Sequence, residues 1–485
     1  MLFNSLEFLV FFAVTTVAYF GLPLRARWFL LLGASCYFYM AFIPIYILIL
    51  ALTIVVDYCA GLLIERTQGA RRKWSLVLSI VANVGVLAIF KYLAFINRNL
   101  AAILGLLGLR YPIRDLGIIL PIGLSFHTFQ AMSYTIEVYY GRQRAERNFI
   151  LYALYVMFYP QLVAGPIERP QNLLHQFRQR HQFDYARVTD GLKLMLRGFF
   201  KKVVVADRLA AIVDNVYQAP RQHHGAALVI ATIFFAFQIY ADFSGYSDIA
   251  IGAAQVLGIG LMTNFRQPYL ARDVSEFWGR WHISLSTWFR DYVYIPLGGN
   301  RVSRPRWYFN LLVTFLISGL WHGANWTYVI WGGLNGLYLI VGIWTREPQQ
   351  RLWRALGLQP GSFVEKNVNR LVTFTLICAA WVFFRANDVG DAVYVLRHAG
   401  DLTGLFHPSA WSDAGMLGAH RSEIVGAAGG LFILLAIDWF CERHEPFEFL
   451  RRQPAWRRWA LYYAMGLAVV FLGRFGNQQF IYFQF

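Results

Sequence analysis

The chain has 485 residues, of which 57% are hydrophobic and only 15% charged, against about 25% charged in an average soluble domain. So apolar a chain cannot keep most of its residues in water, which excludes an ordinary soluble enzyme and indicates an integral membrane protein. A formal net charge of +17 would suggest nucleic acid in a soluble protein, but here Lys and Arg lie between apolar blocks, where they read as topology signals or as an added demand from a phosphate-bearing ligand, two explanations that charge alone does not separate.

In chain order, candidate spans cover residues 2–24, 28–41, 45–64, 74–94, 116–136, 149–163 and 226–245, then 307–320, 326–344, 371–384, 425–437 and 460–473. The count is roughly eleven to thirteen, several of them too short to cross unless tilted or flanked by snorkelling Arg. Residues 28–64 carry one charge, Asp57, and 307–345 contain no Asp, Glu, Lys or Arg. The first block is expected to remain as a span, since it includes Glu7, lacks a basic leader and runs through Phe20 without a small-residue cleavage site. Arg25 and Arg27, then Arg66 to Lys73, then Arg142 to Arg147 follow spans one, three and five. Equal parity predicts an outside N-terminus. Arg98, Arg110 and Arg114, assigned to the loop after span four, weaken that contrast.

Residues 191–217 alternate Arg197, Lys201, Lys202 and Arg208 with Leu and Val, which predicts a helix lying in the interface. Residues 225–265, charged only at Asp242 and Asp248, would overshoot a hydrocarbon core of about 30 Å as one helix. A break is expected near Gly245 or Gly258. The polar stretches 347–370 and 385–421 read as connecting loops. Cys36, Cys59, Cys378 and Cys441 show no CxxC pair and no metal-ligand spacing, so neither a disulfide framework nor a metal site is expected. With no soluble domain boundary, the whole of 1–485 is expected to form one membrane domain: N-terminal helices 1–165, a core 166–345 and C-terminal helices 346–485.

Two runs are chemically informative. Residues 273–300 open with Asp273 and Glu276 at capping-box spacing and close on Pro296, Gly298 and Gly299, predicting a helix with defined ends. Trp281, Leu285, Trp288 and Tyr292 form its apolar stripe, for packing or as a ligand box, while Arg280, His282, Ser286 and Arg290 fall away from it. In the second run, "WHGANW" (residues 321–326), His322 is the one ionisable side chain in a long apolar block. It either does chemistry or, as a neutral ring, bonds two helices together. Gly323 permits close backbone approach, and Asn325, three residues on, is expected on the same helix face, to orient His322 or bind substrate. Asp242 and Asp248 in "YADFSGYSDIA" either pair with an Arg from the 280–290 region or belong to a site. His127, in "SFHTFQ", is read as structural.

The wording of these runs, with "QLVAGPIERP" (161–170), "RGFFKKVVVADRLA" (197–210), "FRQPYLARDVSEFWGRWHISLSTWFRDYVYIPLGGNR" (265–301), "SGLWHGANWTYVIWGGLNG" (318–336) and the terminal "FIYFQF", resembles the membrane-bound O-acyltransferase (MBOAT) family, specifically its alginate O-acetyltransferase branch. The resemblance implies an all-α polytopic membrane protein. About eleven tilted helices, with re-entrant or interfacial ones, would surround a central funnel. It makes His322 the catalytic histidine and His282 the family's second characteristic histidine, lying near it. Around them, Asn325, Trp281, Trp321, Arg280, Arg290 and Asp242 form the candidate substrate-binding set. The family would take an acyl group from a cytoplasmic thioester, for this branch acetyl-coenzyme A, and deliver it across the bacterial inner membrane. There an SGNH-type acetyltransferase or another secreted carrier would esterify an exopolysaccharide such as alginate or cellulose. Acetyl-coenzyme A is then a substrate, with no permanently bound cofactor, no metal and no nucleic-acid partner. Residues 385–421 match no family motif.

A thioester is already activated, so the protein must supply a base for the acceptor hydroxyl and donors for the oxyanion. His322 fits the first role, and His282, Asn325 or Trp indoles fit the second. The cysteines lie outside the motifs, which argues against a covalent cysteine route. Arg and Lys of 197–208 and 280–301 are candidate clamps for the coenzyme's phosphates. Three rival readings are D-alanyl transfer to teichoic acid, a polysaccharide transporter or flippase, and a scaffold for an export complex.

Overall fold

The computed structural model describes residues 1–111, 120–401, 417–475 and 480–481. All regular structure among them is helical, α with short 3₁₀ and π segments. Within lipid, helices satisfy every backbone N–H and C=O inside one segment, the natural outcome for such an apolar chain. Pro44–Arg66, Gly69–Leu106, Ala226–Val256, Trp326–Ala355, Phe363–Arg385 and Arg421–Cys441 are long and apolar enough to cross a membrane. Reaching the expected eleven crossings requires shorter helices such as Leu6–Gly21 as well.

The chain forms two compact units, Met1–Met195 with Tyr246–Met262, and Leu196–Gly245 with Thr263–Phe485. In the first, Pro44–Arg66 turns Leu48, Leu52 and Leu63 outward and buries Leu50, Ile54 and Asp57. A helix with a greasy exposed face and a polar buried one suits a lipid environment. Asp57 accepts hydrogen bonds from Ser79 Oγ (2.6 Å) and Asn83 Nδ2 (2.8 Å), which join its helix to Gly69–Leu87. His127 Nε2 lies 2.8 Å from Thr53 Oγ1, a helix-to-helix contact in keeping with its structural reading.

Three expectations for this unit are corrected. The expected span 149–163 is only the helix Phe149–Met157, because Pro160 cannot continue it. Residues 158–164 are nevertheless buried, which irregular backbone tolerates when covered by protein. Arg98 sits inside the helix Leu93–Leu106 and not in a loop, while Arg114 lies outside the described residues. The helix within the expected span 116–136 is Leu124–Tyr139, the start of that span falling outside the described residues.

Ala226–Val256 runs unbroken through Gly245 and ends just before Gly258, whose φ of 89° suits glycine. Its most apolar stretch is 83% buried, so the hydrocarbon thickness does not limit its length. Gly245 instead admits the backbone of Gly198, whose carbonyl would meet any Cβ there. The expected interfacial helix is likewise no surface element: Tyr185–Phe199, a π segment Phe200–Ala206 and Asp207–Gln218 succeed one another, and Lys201 and Lys202 are buried. The supposed loop 347–370 is largely helix, since Trp326–Ala355 and Phe363–Arg385 extend into it. In 385–421, Val389–His398 is helical and 402–416 lie outside the described residues.

The second unit is organised by the antiparallel pair Arg304–His322 and Trp326–Ala355. A Cβ on Gly319 would overlap Tyr328 O, and one on Gly332 would overlap Phe315 O. Two backbones therefore meet at van der Waals distance, the small-residue contact favoured between membrane helices. Gly332→Val is expected to force this pair apart at a cost of about 3 kcal/mol, the upper end for overpacking, since the obstacle is backbone. Thermal unfolding of the purified variant in detergent checks this; an unchanged midpoint would mean the pair tolerates separation.

Candidate active site

His322 is the last residue of Arg304–His322, and the chain turns through Gly323 before Asn325 caps Trp326–Ala355. The helix therefore stops between the two polar residues, so the expected shared face does not exist. A Cβ on Gly323 would run into the Tyr328 ring, which accounts for glycine at the turn. Asn325 Oδ1 accepts from Thr327 N (3.1 Å) and its amide donates to Asn387 O (3.3 Å). Asn325 thus fixes the turn that presents His322. The imidazole itself is 4% exposed. It packs edge-on against Trp321 (4.8 Å between centroids), Trp331 (4.9 Å) and Phe384 (5.3 Å).

The segment 273–300 begins as predicted, with Asp273 accepting from Glu276 N (2.8 Å). It is not one helix, however. Val274–Arg280 ends at Trp281, His282 takes φ 43°, and Ile283–Phe289 restarts. A left-handed β-substituted residue costs roughly 1–2 kcal/mol and persists only where its surroundings enforce it, commonly at functional sites. Here the restraint is backbone pairing with residues 264–266: Arg266 N donates to Arg280 O (3.0 Å) and Ile283 N to Asn264 O (2.9 Å). The break rotates His282 from the expected polar face into the interior, where it is 1% exposed. Its ring stands edge-on to Phe243 (4.5 Å) and lies 6.4 Å from both Phe265 and Trp321. Burial holds its pKa well below the ordinary histidine value, so the ring is neutral at pH 7.

Trp321 therefore touches both imidazoles and joins two histidines forty positions apart in sequence. Trp281 belongs to the surrounding wall, 5.1 Å from Phe265 and 5.1 Å from Trp381, with Trp381 stacked on Trp331 at 5.7 Å. Phe243, Asn264, Phe265, Trp331, Trp381 and Phe384 escaped the sequence reading. An isolated Asn or Phe has no periodic signal, and only the fold collects them.

The charged candidates sit elsewhere. Arg280 donates to Glu276 (2.7 Å) and Glu442 (2.7 Å), tying its helix to the end of Arg421–Cys441. Arg290 is exposed and paired with Asp291. Asp242 does not pair with an Arg of the 280–290 region. Its partner is Lys202, 2.6 Å away, which also holds Asp207 at 2.9 Å, and Ile481 N donates to its second oxygen (2.7 Å). Charge patterning alone places Lys202 in an interfacial helix, away from Asp242. Asp248 is buried on the same helix but in the other unit. No group of three or more His, Cys, Asp or Glu with metal-binding geometry occurs among the described residues.

The described residues are helical and largely apolar, with a buried histidine at the end of an apolar helix and a second one across an indole. The chain belongs to the membrane-bound O-acyltransferase family, whose model matches residues 140–360, and it is a multi-pass membrane O-acyltransferase. It is 42% identical to a protein named "Probable alginate O-acetylase" from Pseudomonas aeruginosa, over 80% of this chain and 73% of that one. It is 33% identical to the peptidoglycan O-acetyltransferase of Helicobacter pylori, over all of this chain and 98% of the relative. A teichoic acid D-alanyltransferase from Streptococcus thermophilus is 27% identical over 54% of the chain.

Proposed function

We propose that this enzyme takes an acetyl group from acetyl-coenzyme A at the cytoplasmic side of the bacterial inner membrane and passes it outward for O-acetylation of an exopolysaccharide, with an SGNH-type acetyltransferase or other extracytoplasmic carrier as partner. The observation that carries the reading is His322, buried against three aromatic rings and presented by a capped turn. Higher identity over longer stretches to O-acetyl-transferring relatives than to the D-alanyltransferase favours acetyl as the group moved. The outside N-terminus and a full count of about eleven crossings belong to the same proposal.

In this reading His322 removes the proton from the acceptor hydroxyl, whose oxygen adds to the thioester carbonyl. The carbon–sulfur bond then breaks and the departing thiolate recovers the proton from the imidazolium. His282 contacts the substrate at the same centre, and the Trp321 indole, between the two rings, donates to the oxyanion. Trp281 walls the centre against water. Asn325 acts through the turn it caps, Arg280 through the helix it anchors and Asp242 through its ion pair, whereas exposed Arg290 is the candidate for the coenzyme's phosphates.

Purified protein in liposomes, given acetyl-labelled coenzyme A, is expected to release free coenzyme A and to lose this activity in His322→Ala. Intact thioester with the wild type, or polymer acetylation persisting in cells carrying a membrane-inserted His322→Ala, would instead favour a transporter or a scaffold.

A further inference from the structure

We infer that Asn264 is a positioning residue that sets the polarity of His282, making its Nε2 a hydrogen-bond acceptor toward the substrate and not a donor to the oxyanion. This rests on the acyl-transfer reading above and deepens it.

Asn264 is wholly buried. Its Oδ1 accepts from Ser284 N (3.2 Å) and from Ser284 Oγ (2.9 Å), and lies 3.1 Å from His282 Nδ1. A backbone N–H can only donate, so the amide oxygen, and not its nitrogen, must face this point. Nδ1 must then carry the ring proton in order to bond that oxygen. In a neutral imidazole one nitrogen donates and the other accepts, so Nε2 is left with the lone pair. The bond between Ile283 N and Asn264 O locks the same two segments together and holds His282 in its left-handed conformation. An acceptor at Nε2 can take a hydrogen bond from a substrate O–H or N–H other than the hydroxyl proton that passes to His322, and the oxyanion is left to the Trp321 indole. Second partners that fix tautomer and orientation are a general feature of working histidines.

Among the described residues, the helix behind Phe243 carries Asp242, ion-paired with Lys202, and Tyr240. The helix carrying Trp321 contributes His322, while Arg266 and Arg280 flank the paired segments.

Two substitutions test the inference in the full-length protein in liposomes, with acetyl-coenzyme A as donor and coenzyme A release as readout. Asn264→Leu keeps the volume and removes the acceptor; kcat should fall about 10- to 100-fold with KM for acetyl-coenzyme A little changed, since the donor's binding groups are untouched. Asn264→Asp offers the same oxygen but adds a negative charge, which raises the His282 pKa. The His282 ring titration, followed by NMR on the same variant, should move upward by about one unit or more. A His282 titration that stays in place in Asn264→Asp would overturn the inference, as would wild-type kcat in Asn264→Leu. His322→Ala run alongside separates the two failures. If it retains activity, the acyl-transfer reading itself is wrong; if it is inactive while the Asn264 variants behave as wild type, only the role of Asn264 is.

Discussion

His322→Ala should lose acyl transfer almost completely, by about 10²–10⁴-fold for a general base alone, while still accumulating in the membrane. The ring is one face of an aromatic packing unit with Trp321, Trp331 and Phe384, so a cavity is the second consequence of truncation. His322→Gln separates the two effects. It fills much of the volume but has no nitrogen able to take a proton, and it should be as inactive as the alanine variant with a smaller drop in thermal stability. Coenzyme A release and detergent unfolding midpoints on the three proteins provide the comparison. Substantial turnover in His322→Gln would show that the ring packs helices without moving protons.

The second large effect is expected at Lys202→Met. Lys202 holds Asp242 and Asp207 with almost no side-chain exposure on any of the three. Removing one partner of a buried ionic cluster costs about 3–5 kcal/mol, because the remaining charges stay buried and uncompensated. Here one cation serves two carboxylates, which places the loss toward the upper end. The consequence reaches the candidate active site, since Asp242 precedes Phe243, the ring against His282, and binds Ile481 N of the C-terminal segment. Lys202→Met should therefore lower the unfolding midpoint and activity together, and the double variant Lys202→Met/Asp242→Asn should recover part of the stability. If the double variant is no better than the single one, the cluster is not stabilised by charge pairing.

Membrane class, helical architecture and family were all legible in the residues. Each depends on composition, on uninterrupted apolar runs or on the wording of local motifs, and lipid leaves such runs few structures besides a helix. A lone ionisable group in an apolar block is conspicuous without any fold. Asp273 as a helix cap was equally local and is as expected.

Tertiary structure alone decided the rest. Periodicity assumes an unbroken helix, so it put His282 on a polar face; the left-handed kink, enforced by residues 264–266, turned it inward. Spacing put Asn325 beside His322 on one helix, but the chain turns between them. Charge patterning put Lys202 at an interface and gave Asp242 an arginine, whereas the π segment Phe200–Ala206 carries the lysine into the core to meet the aspartate. The contacts that place His282 and Asp242 join residues well apart in sequence, 264 with 283 and 202 with 242. Hydrophobic pattern specifies which segments are buried, but the partner of a buried polar group is set by packing between segments, and a single chain's local sequence does not encode that.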